Sequence, residues 1–420
     1  MTIIRNHAVL LVLTFIIIIH AIDRLAIVIL LEDIKNDLGL TDAQLGFLSG
    51  FAFVVLYVAA SIPMAYVSDR SNRSRLIGAA LMVFGGMTVL CGLAQNFAQL
   101  AAARCGVGIG ASPCVPAAHS IIADIYPPRQ RTTALSITEC GFFIGSFIGL
   151  WLCGWIATHY GWRMAFFVVG LAPVLLGLVS FFVMRDPPRR AKAHEANRSF
   201  LGSLGVILGV PAVRYYILGS ALAVFGLAGM ITWLPTLMIR AYDMTRAEAG
   251  GYIGAINGVG GLFFTIIVGV AADRLSRRDA RWNLWIPASL FAVSAPFAAM
   301  AFLSHTPMAI LVFFAFAASF VTACSAPIVS YSQQIMPSNV HAMVTAVIFL
   351  ALNLIGFGAG PLAIGVLSDA LALISSEDQA LQKALLYLAP PALLIGSAFV
   401  TLGASLSGKP QEPDRLQTAR

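Results

Sequence analysis

Two short strings decide how this chain folds: AYVSDRSNRSR at residues 65–75 and GVAADRLSRR at residues 269–278. Both contain the pattern DRxxR directly after a long apolar stretch. At a fixed offset of 204 residues the two strings align: Asp69, Arg70 and Arg73 with Asp273, Arg274 and Arg277. The same offset gives three further matches without a gap: Thr41 with Thr245, Gly46 with Gly250, and Gly50 with Gly254. A repeat of this length predicts two similar halves.

The composition places both halves in a membrane. Of the 420 residues, 59% are hydrophobic and only 11% are charged, whereas a soluble domain carries about 25% charged residues. Only helices or closed barrels satisfy their backbone in lipid, and the apolar runs are much longer than barrel strands. We therefore expect twelve membrane-spanning helices, which we number spans 1 to 12: approximately 8–31, 43–68, 75–95, 97–125, 132–157, 164–184, 212–240, 247–272, 282–304, 307–334, 340–370 and 383–407.

The basic residues indicate the orientation. If both termini face the cytoplasm, 19 of the 26 Lys and Arg residues fall on the cytoplasmic side and 5 on the opposite side. This bias is the positive-inside pattern of a multi-pass inner-membrane protein. The net charge of +7 is accordingly a topology signal, and no basic stripe with interleaved aromatic residues suggests nucleic-acid binding.

The longest predicted loop divides the spans six and six. We expect a first six-helix bundle at residues 1–184, a cytoplasmic linker at 185–211 and a second bundle at 212–420. The segment 199–210 is apolar and is predicted to lie along the membrane interface before span 7. The six cysteines lie in apolar stretches without metal-ligand spacing, so they predict neither disulfides nor a metal site. Walker, HExxH and nucleophile-elbow motifs are absent from the sequence, which predicts no cofactor, no enzyme and no ATP-driven transport.

These strings carry a family resemblance. The two DRxxR loops, GWRMAF at 161–166 and GPLAIGVLSD at 360–369 resemble the major facilitator superfamily, and the resemblance covers essentially the whole chain. Within it, the stretches at 20–50 and 104–131 and RDPPRR at 185–190 resemble Spinster-like carriers. The anion:cation symporters, which take sugar acids and aromatic acids, share the Asp-Arg pair of span 1 and remain the second candidate. The resemblance implies rocker-switch alternating access by a monomer.

Three polar residues lie in the middle of span 1. Asp23 and Arg24 place charges where each costs a few kcal/mol or more, so such charges rarely lack a role. His20 is three residues before Asp23 and shares its helix face. We expect Asp23 to carry a proton, and Arg24 with His20 to bind an anionic substrate group or tune Asp23. The alternative is an ion pair that only pins helix packing.

Span 4 contains the string RxxxGxG, in which Arg104 precedes Gly108 and Gly110. Gly108 should let another backbone approach closely. The string resembles the span-4 motif of proton-coupled members of the superfamily, which implies that Arg104 takes part in coupling. The alternative is an arginine that only snorkels from the outer end of the span. The Spinster-like pattern has an acid after the second Gly, where this chain has Ala111. Glu139 in span 5 could supply that carboxylate, or it could be an ordinary interfacial Glu.

The aligned DRxxR loops are predicted to be gates. Charges at helix ends can pair with neighbouring helices, and such pairs break when the halves rock. Asp124 is the expected partner of Arg73, and the second-half lock should be weaker because Gln333 and Gln334 stand at the comparable place. The gating residues are therefore Asp69, Arg70, Arg73, Asp124, Asp273, Arg274 and Arg277. Ordinary positive-inside charge is the alternative explanation.

The second half offers neutral and aromatic side chains. Its candidates for substrate binding are Trp233, Asn257, Tyr331 and Asn353, although a buried polar residue in a membrane helix more often bonds helix to helix. Such a wall suits a substrate with an apolar part. The predicted function is proton-coupled transport of a lipid-like amphiphile, with a small organic anion as the alternative substrate. A non-transporting receptor and a scramblase are the alternatives of another class.

Overall fold

The computed structural model describes residues 2–183, 200–336 and 341–407, and throughout them the protein is helical. The α-helices are α1 Thr2–Leu38, α2 Asp42–Ser49, α3 Phe51–Arg70, α4 Arg73–Leu93, α5 Phe97–Ala111, α6 Cys114–Ile125, α7 Pro128–Tyr160, α8 Trp162–Val183, α9 Phe200–Gly209, α10 Pro211–Tyr242, α11 Arg246–Ala255, α12 Gly261–Ser276, α13 Trp282–Leu303, α14 Pro307–Thr322, α15 Ser325–Ile335, α16 His341–Ala351, α17 Gly360–Ala372 and α18 Glu377–Leu406. Two π-helical segments, Ile256–Gly260 and Leu352–Ala359, interrupt spans 8 and 11.

Twelve of these helical stretches are long and apolar enough to cross a membrane, which confirms the predicted spans: His7–Leu38, Asp42–Ser61, Arg73–Leu93, Phe97–Ile125, Thr133–Tyr160, Trp162–Phe181, Pro211–Tyr242, Arg246–Ser276, Trp282–Leu303, Pro307–Ser332, Met343–Ala372 and Glu377–Leu406. Two spans extend well beyond their predicted bounds, span 1 at its end and span 12 at its start. Both helices continue several residues into polar sequence, because hydropathy marks where the membrane ends and not where the helix ends.

The predicted linker lies mostly outside the described residues, which stop at 183 and resume at 200. Its last part, the apolar segment before span 7, forms helix α9 at Phe200–Gly209. Within α9 the side chain of Ile207 is buried.

The matched residues of the repeat occupy equivalent structural positions. Thr41 caps α2 and Thr245 caps α11, each in a complete capping box with a Gln or Glu three residues later. Spans 2 and 11 pack against each other across the two halves, as do spans 5 and 8. A Cβ on Gly46 would lie 2.5 Å from the Pro361 carbonyl oxygen, and one on the aligned Gly250 would overlap the Leu150 carbonyl oxygen. The repeated glycines therefore let the halves approach each other.

The second pair of aligned glycines, Gly50 and Gly254, extends the contacts of span 2 with span 11 and of span 8 with span 5. A Cβ on Gly50 would lie 2.6 Å from the Gly358 carbonyl oxygen, and one on Gly254 would lie 3.0 Å from that of Phe147. The close approach of spans 2 and 11 thus extends from the loop end of span 2 towards mid-membrane.

A different row of glycines in span 5 packs inside the first half. Gly141, Gly145 and Gly149 face successive turns of α1, and a Cβ on Gly141 would lie 3.0 Å from the Thr14 carbonyl oxygen. Their contacts are those of tight packing between spans 1 and 5, as small residues produce in membrane bundles.

Candidate functional site

Asp23 is held inside the first half by two polar neighbours. Its Oδ1 accepts a hydrogen bond from Thr88 Oγ1 at 2.5 Å, and its Oδ2 lies 3.4 Å from Arg104 Nη1. The Asp23 and Arg104 side chains are each only 1% exposed. Burial of both charges removes water from the pair and makes their mutual interaction strong.

Two glycines of the span-4 string position Arg104. A Cβ on Gly108 would meet the Phe53 carbonyl oxygen of α3, and a Cβ on Gly110 would lie 2.5 Å from the Phe84 nitrogen of α4. The expected close approach at Gly108 is therefore present. Ala111, where the Spinster-like pattern has an acid, is fully buried.

Arg24 points away from Asp23 towards the second half. Successive residues of a helix project about 100° apart, so neighbours in sequence need not share surroundings. Arg24 Nη2 donates a hydrogen bond to Asn353 Oδ1 at 3.3 Å. Its Cζ lies 4.2 Å from the ring centroid of Phe357 and 5.9 Å from that of Phe53. Arg24 therefore makes no direct contact through which it could tune Asp23, whereas Arg104 contacts Asp23 directly.

Arg24 also lines a cavity between the halves. Nine of the ten lining residues come from spans 1, 2 and 7, one comes from span 11, and most are apolar. The cavity is lined by Arg24, Leu25, Val28, Ser49, Phe53, Val54, Ala228, Ile231, Thr232 and Phe357. It therefore combines one cation and two hydroxyl groups with an apolar and aromatic wall.

His20 lies among aromatic rings inside the first half. It is 7% exposed and stacks on Phe84 with ring centroids 6.1 Å apart, and Tyr57 lies 6.2 Å away. Its Nε2 has no hydrogen-bond partner among the described residues. His20 is absent from the lining of the cavity, so its predicted contact with substrate has no counterpart in this conformation.

Glu139 lies apart from Asp23. Its carboxylate is 54% exposed and pairs with His119 Nε2 at 2.8 Å. Among the described residues Asp23 contacts Thr88 and Arg104, so Glu139 does not stand in for the acid missing at Ala111 by direct contact. The pair is a separate polar site on spans 4 and 5.

The aromatic candidates of the second half are buried structural residues in this conformation. Trp233 Nε1 donates to the Pro361 carbonyl oxygen at 2.8 Å, and the side chain is fully buried. Tyr331 donates to Ser407 Oγ at 2.5 Å. Asn257 lies in the first π-helical segment, and its Nδ2 has no partner in the described residues. Asn353, in the second π-helical segment, is the one of the four that contacts Arg24.

At the basic end of the bundle the expected contact of the first DRxxR loop is present. Arg73 Nη1 lies 2.5 Å from Asp124 Oδ2 and 2.9 Å from Ser120 Oγ. Both partners lie on span 4 of the same half, so this pair does not join the two halves. The side chains of Asp69 and Arg70 lie outside the described residues.

The second DRxxR loop is exposed. Asp273, Arg274 and Arg277 all face outward, and none forms an ion pair with another described residue. The Gln333 side chain lies outside the described residues, and Gln334 Nε2 lies 3.4 Å from Ser330 Oγ. This exposure agrees with a weaker second lock, while the gating role of both loops stays a prediction.

The opposite end carries a charged network that sequence reasoning missed. Arg240 of span 7 holds Asp42 of span 2 in a bidentate pair at 2.7 and 2.9 Å, and its Nε lies 2.5 Å from Glu32 Oε2. Lys35 lies 3.1 Å from Asp42 and 2.5 Å from Glu377. Each of these contacts except Lys35–Asp42 joins the first half to the second.

Two further contacts complete this network, which we call the outer network. Asp369 of span 11 accepts hydrogen bonds from the Asp42 and Ala43 backbone nitrogens at 2.9 and 2.8 Å, and so caps the start of α2 from the other half. Arg246 forms an ion pair with Asp33 of span 1. The signal in the sequence was the run LLEDIKNDLGLTD at 30–42, where four acids stand on the side predicted to be poor in basic residues.

The family model described as "Major Facilitator Superfamily" matches residues 13–361. The chain is a member of the major facilitator superfamily. Its members are transporters and not enzymes. An MFS-type efflux pump of Mycolicibacterium smegmatis is 31% identical over 90% of this chain and 88% of its own length. The cis,cis-muconate transport protein of Acinetobacter baylyi is 26% identical over 59% of this chain and 62% of its own length.

Solved structures of the superfamily confirm the Spinster-like resemblance. A bacterial homologue of the human lysosomal transporter Spinster, in an inward-facing and unoccupied conformation, superposes with a TM-score of 0.81. That structure is 26% identical in sequence, and the match covers 96% of both chains. The fold of two six-helix bundles around a central path is therefore shown.

Proposed function

We propose that this superfamily member is a proton-coupled secondary transporter of an organic anion with an apolar body. The observation that carries the proposal is the environment of Arg24. Its guanidinium faces the cavity between the halves, and none of the described carboxylates forms an ion pair with it. An unneutralised cation at membrane depth is costly, and a substrate anion would offset that cost.

The cavity wall defines the rest of the ligand. A guanidinium recognises a carboxylate or phosphate in a bidentate way, and Ser49 and Thr232 add hydroxyl groups. The rings of Phe53 and Phe357 flank the guanidinium, so an aromatic or unsaturated chain beside the anion would pack on them. The cis,cis-muconate and 4-hydroxybenzoate transporters among the relatives make aromatic and unsaturated acids the first class to test. A lipid-like anion is the second, because the remaining wall is apolar.

Asp23 is the proposed proton carrier, and Arg104 is its coupling partner. One carboxylate and two guanidinium groups, those of Arg24 and Arg104, give the site a net single positive charge. Protonating Asp23 raises that charge to two, and this strengthens the attraction for an anion at Arg24. Proton and anion should therefore bind cooperatively, which favours movement of both in one direction.

The outer network supports alternating access in the proposed orientation. The contacts between the halves lie at the end that holds the loops after spans 1, 7 and 11, and this end is predicted to be periplasmic. The described conformation is thus proposed to be inward-facing. We propose that the protein lies in a bacterial-type inner membrane with both termini in the cytoplasm. Opening to the other side requires that the outer network breaks. We propose that the transporter works as a monomer.

The test is transport by the purified chain in proteoliposomes with an imposed pH gradient. Radiolabelled 4-hydroxybenzoate, cis,cis-muconate and a lysophospholipid distinguish the two substrate classes. Asp23→Asn should abolish gradient-driven accumulation while exchange of the bound anion persists. Asp37→Asn is the matched control, because Asp37 pairs with Arg163 within the first half and away from the site.

Intact proton-driven accumulation by Asp23→Asn would remove Asp23 from its role. Lipid flux that ignores the pH gradient and ionophores would instead support a scramblase. Binding without any flux would support a receptor.

A further inference from the structure

We propose that Asn353 is a positioning residue that occupies the anion subsite of Arg24 while the protein is empty, so that an arriving anion must break a contact between the two halves. The inference rests on the proposed function, since it assumes that an anion binds Arg24. It adds a physical link from that binding event to the separation of the halves, and it assigns the link to one side chain.

The amide of Asn353 is oriented so that its oxygen takes the place of an anion at Arg24. Its Nδ2 donates to the Phe349 carbonyl oxygen of the preceding turn at 2.8 Å, which turns its Oδ1 towards Arg24. That oxygen stands where an oxygen of a bound carboxylate would stand. The 3.3 Å separation is longer than the roughly 2.7–2.9 Å of a strong charge-assisted bond, so a carboxylate would make the better partner and displace the amide.

Phe357, on the same π-helical segment as Asn353, also contacts the charged guanidinium of Arg24. It lies four residues after Asn353 in the π-helical segment Leu352–Ala359, and its ring centroid is 4.2 Å from Arg24 Cζ. Attraction between a ring face and a guanidinium depends on the unneutralised positive charge. A bound anion would therefore weaken both contacts of this segment with Arg24 at once.

These two contacts continue the row where spans 2 and 11 meet. The contacts run inward from Gly46 with Pro361, through Gly50 with Gly358, to Arg24 with Asn353. The π-helical segment is also a place where the regular ladder of backbone hydrogen bonds changes, and such segments concentrate at functional sites. Loss of the innermost contact would lower the cohesion of the whole row and bring the outer network closer to opening.

The experiment measures binding of 4-hydroxybenzoate by isothermal titration calorimetry to the full chain in nanodiscs, with neutral 4-hydroxybenzamide as the comparison probe. Asn353→Ala removes the competitor and should lower the Kd for the acid about threefold, whereas Asn353→Asp supplies a permanent competitor and should raise it at least about tenfold. The amide probe should show neither change. Ser397→Ala, which removes a buried hydrogen bond inside the second half, is the control and should leave Kd unchanged.

Hydrogen–deuterium exchange of residues 42–50 and 358–369 supplies a second readout. In the unsubstituted chain the acid should increase exchange of both segments, and in Asn353→Ala exchange should be raised before the acid is added. A purely structural role would raise Kd in both variants, and that result overturns the inference while leaving the proposed function standing. If the unsubstituted chain binds none of the carboxylates used for transport, the proposed function fails, and the inference fails with it.

Discussion

Replacing Arg240 by alanine removes the centre of the outer network. Its guanidinium makes three contacts at 2.5–2.9 Å with two carboxylates of the other half, Glu32 and Asp42. Arg240 is 6% exposed and Asp42 is 3% exposed, so solvent screening of this pair is small. Removing one partner of a buried ion pair costs about 3–5 kcal/mol, because the remaining charge loses its compensation.

The lower end of that range applies here. Asp42 keeps Lys35 at 3.1 Å and Ser368 Oγ at 2.7 Å, so it is not left without partners. A loss of about 3 kcal/mol from the outer-closed state alone shifts the ratio of outer-closed to outer-open molecules about a hundredfold. Arg240→Ala should therefore populate an outer-open form that is minor in the unsubstituted chain.

Double electron–electron resonance between two spin labels measures this shift. The labels replace Ala98 in the first half and Ile374 in the second, both exposed at the outer end, in a chain whose six native cysteines are replaced. Arg163→Ala is the matched control, because the Arg163–Asp37 pair lies at the same end within one half. Arg240→Ala should add a longer distance, and Arg163→Ala should not. A folded Arg240→Ala protein with an unchanged distance distribution would refute the outer network as a gate.

Two further substitutions test the contact surfaces between the halves. Gly250→Ala should disfavour the outer-closed state, because its Cβ would overlap the Leu150 carbonyl oxygen, and the same spin-label distance should lengthen. Gly251→Ala is the matched neighbour, with only the Trp151 side chain at 3.5 Å, and an equal effect at both positions would contradict the steric explanation. Asp369→Ala removes a helix cap worth about 1 kcal/mol and should lengthen the distance in a smaller fraction of molecules than Arg240→Ala. An Asp369→Ala effect as large as that of Arg240→Ala would contradict this ranking.

The spans and the repeat could be predicted because both are patterns along the sequence and do not depend on which helices pack together. Hydropathy over about twenty residues reflects the thickness of the membrane, whatever the helices later contact. The Arg73–Asp124 contact could also be predicted, because helix ends on one side of a bundle lie close together. The aligned glycines were recognised as a repeat, but their role in joining the halves required the structure.

The direction of each polar side chain could not be predicted. Asp23 and Arg24 are adjacent in sequence, yet one lies against Arg104 and the other against a residue 329 positions away. The Arg240–Glu32 contact spans 208 positions, and no local pattern specifies which of several acids a distant arginine will meet. The π-helical segment that carries Asn353 packs against span 7 of its own half and span 2 of the other, and it leaves no period of its own in the sequence.

The adjacency of Asp23 and Arg24 has a consequence for the proposed coupling of proton and anion. One rigid helical turn of α1 joins a carboxylate enclosed by the first half to a guanidinium held by the second. A shift of α1 within the first half that moves Arg24 away from Asn353 also moves Asp23 relative to Thr88 and Arg104, because a helix transmits displacement along its axis without absorbing it. A proton site and an anion site on separate helices would need a chain of contacts between them. In the proposed mechanism the covalent backbone supplies the connection, and the aligned positions of the second half need no ionisable group for the proposed cycle to be coupled.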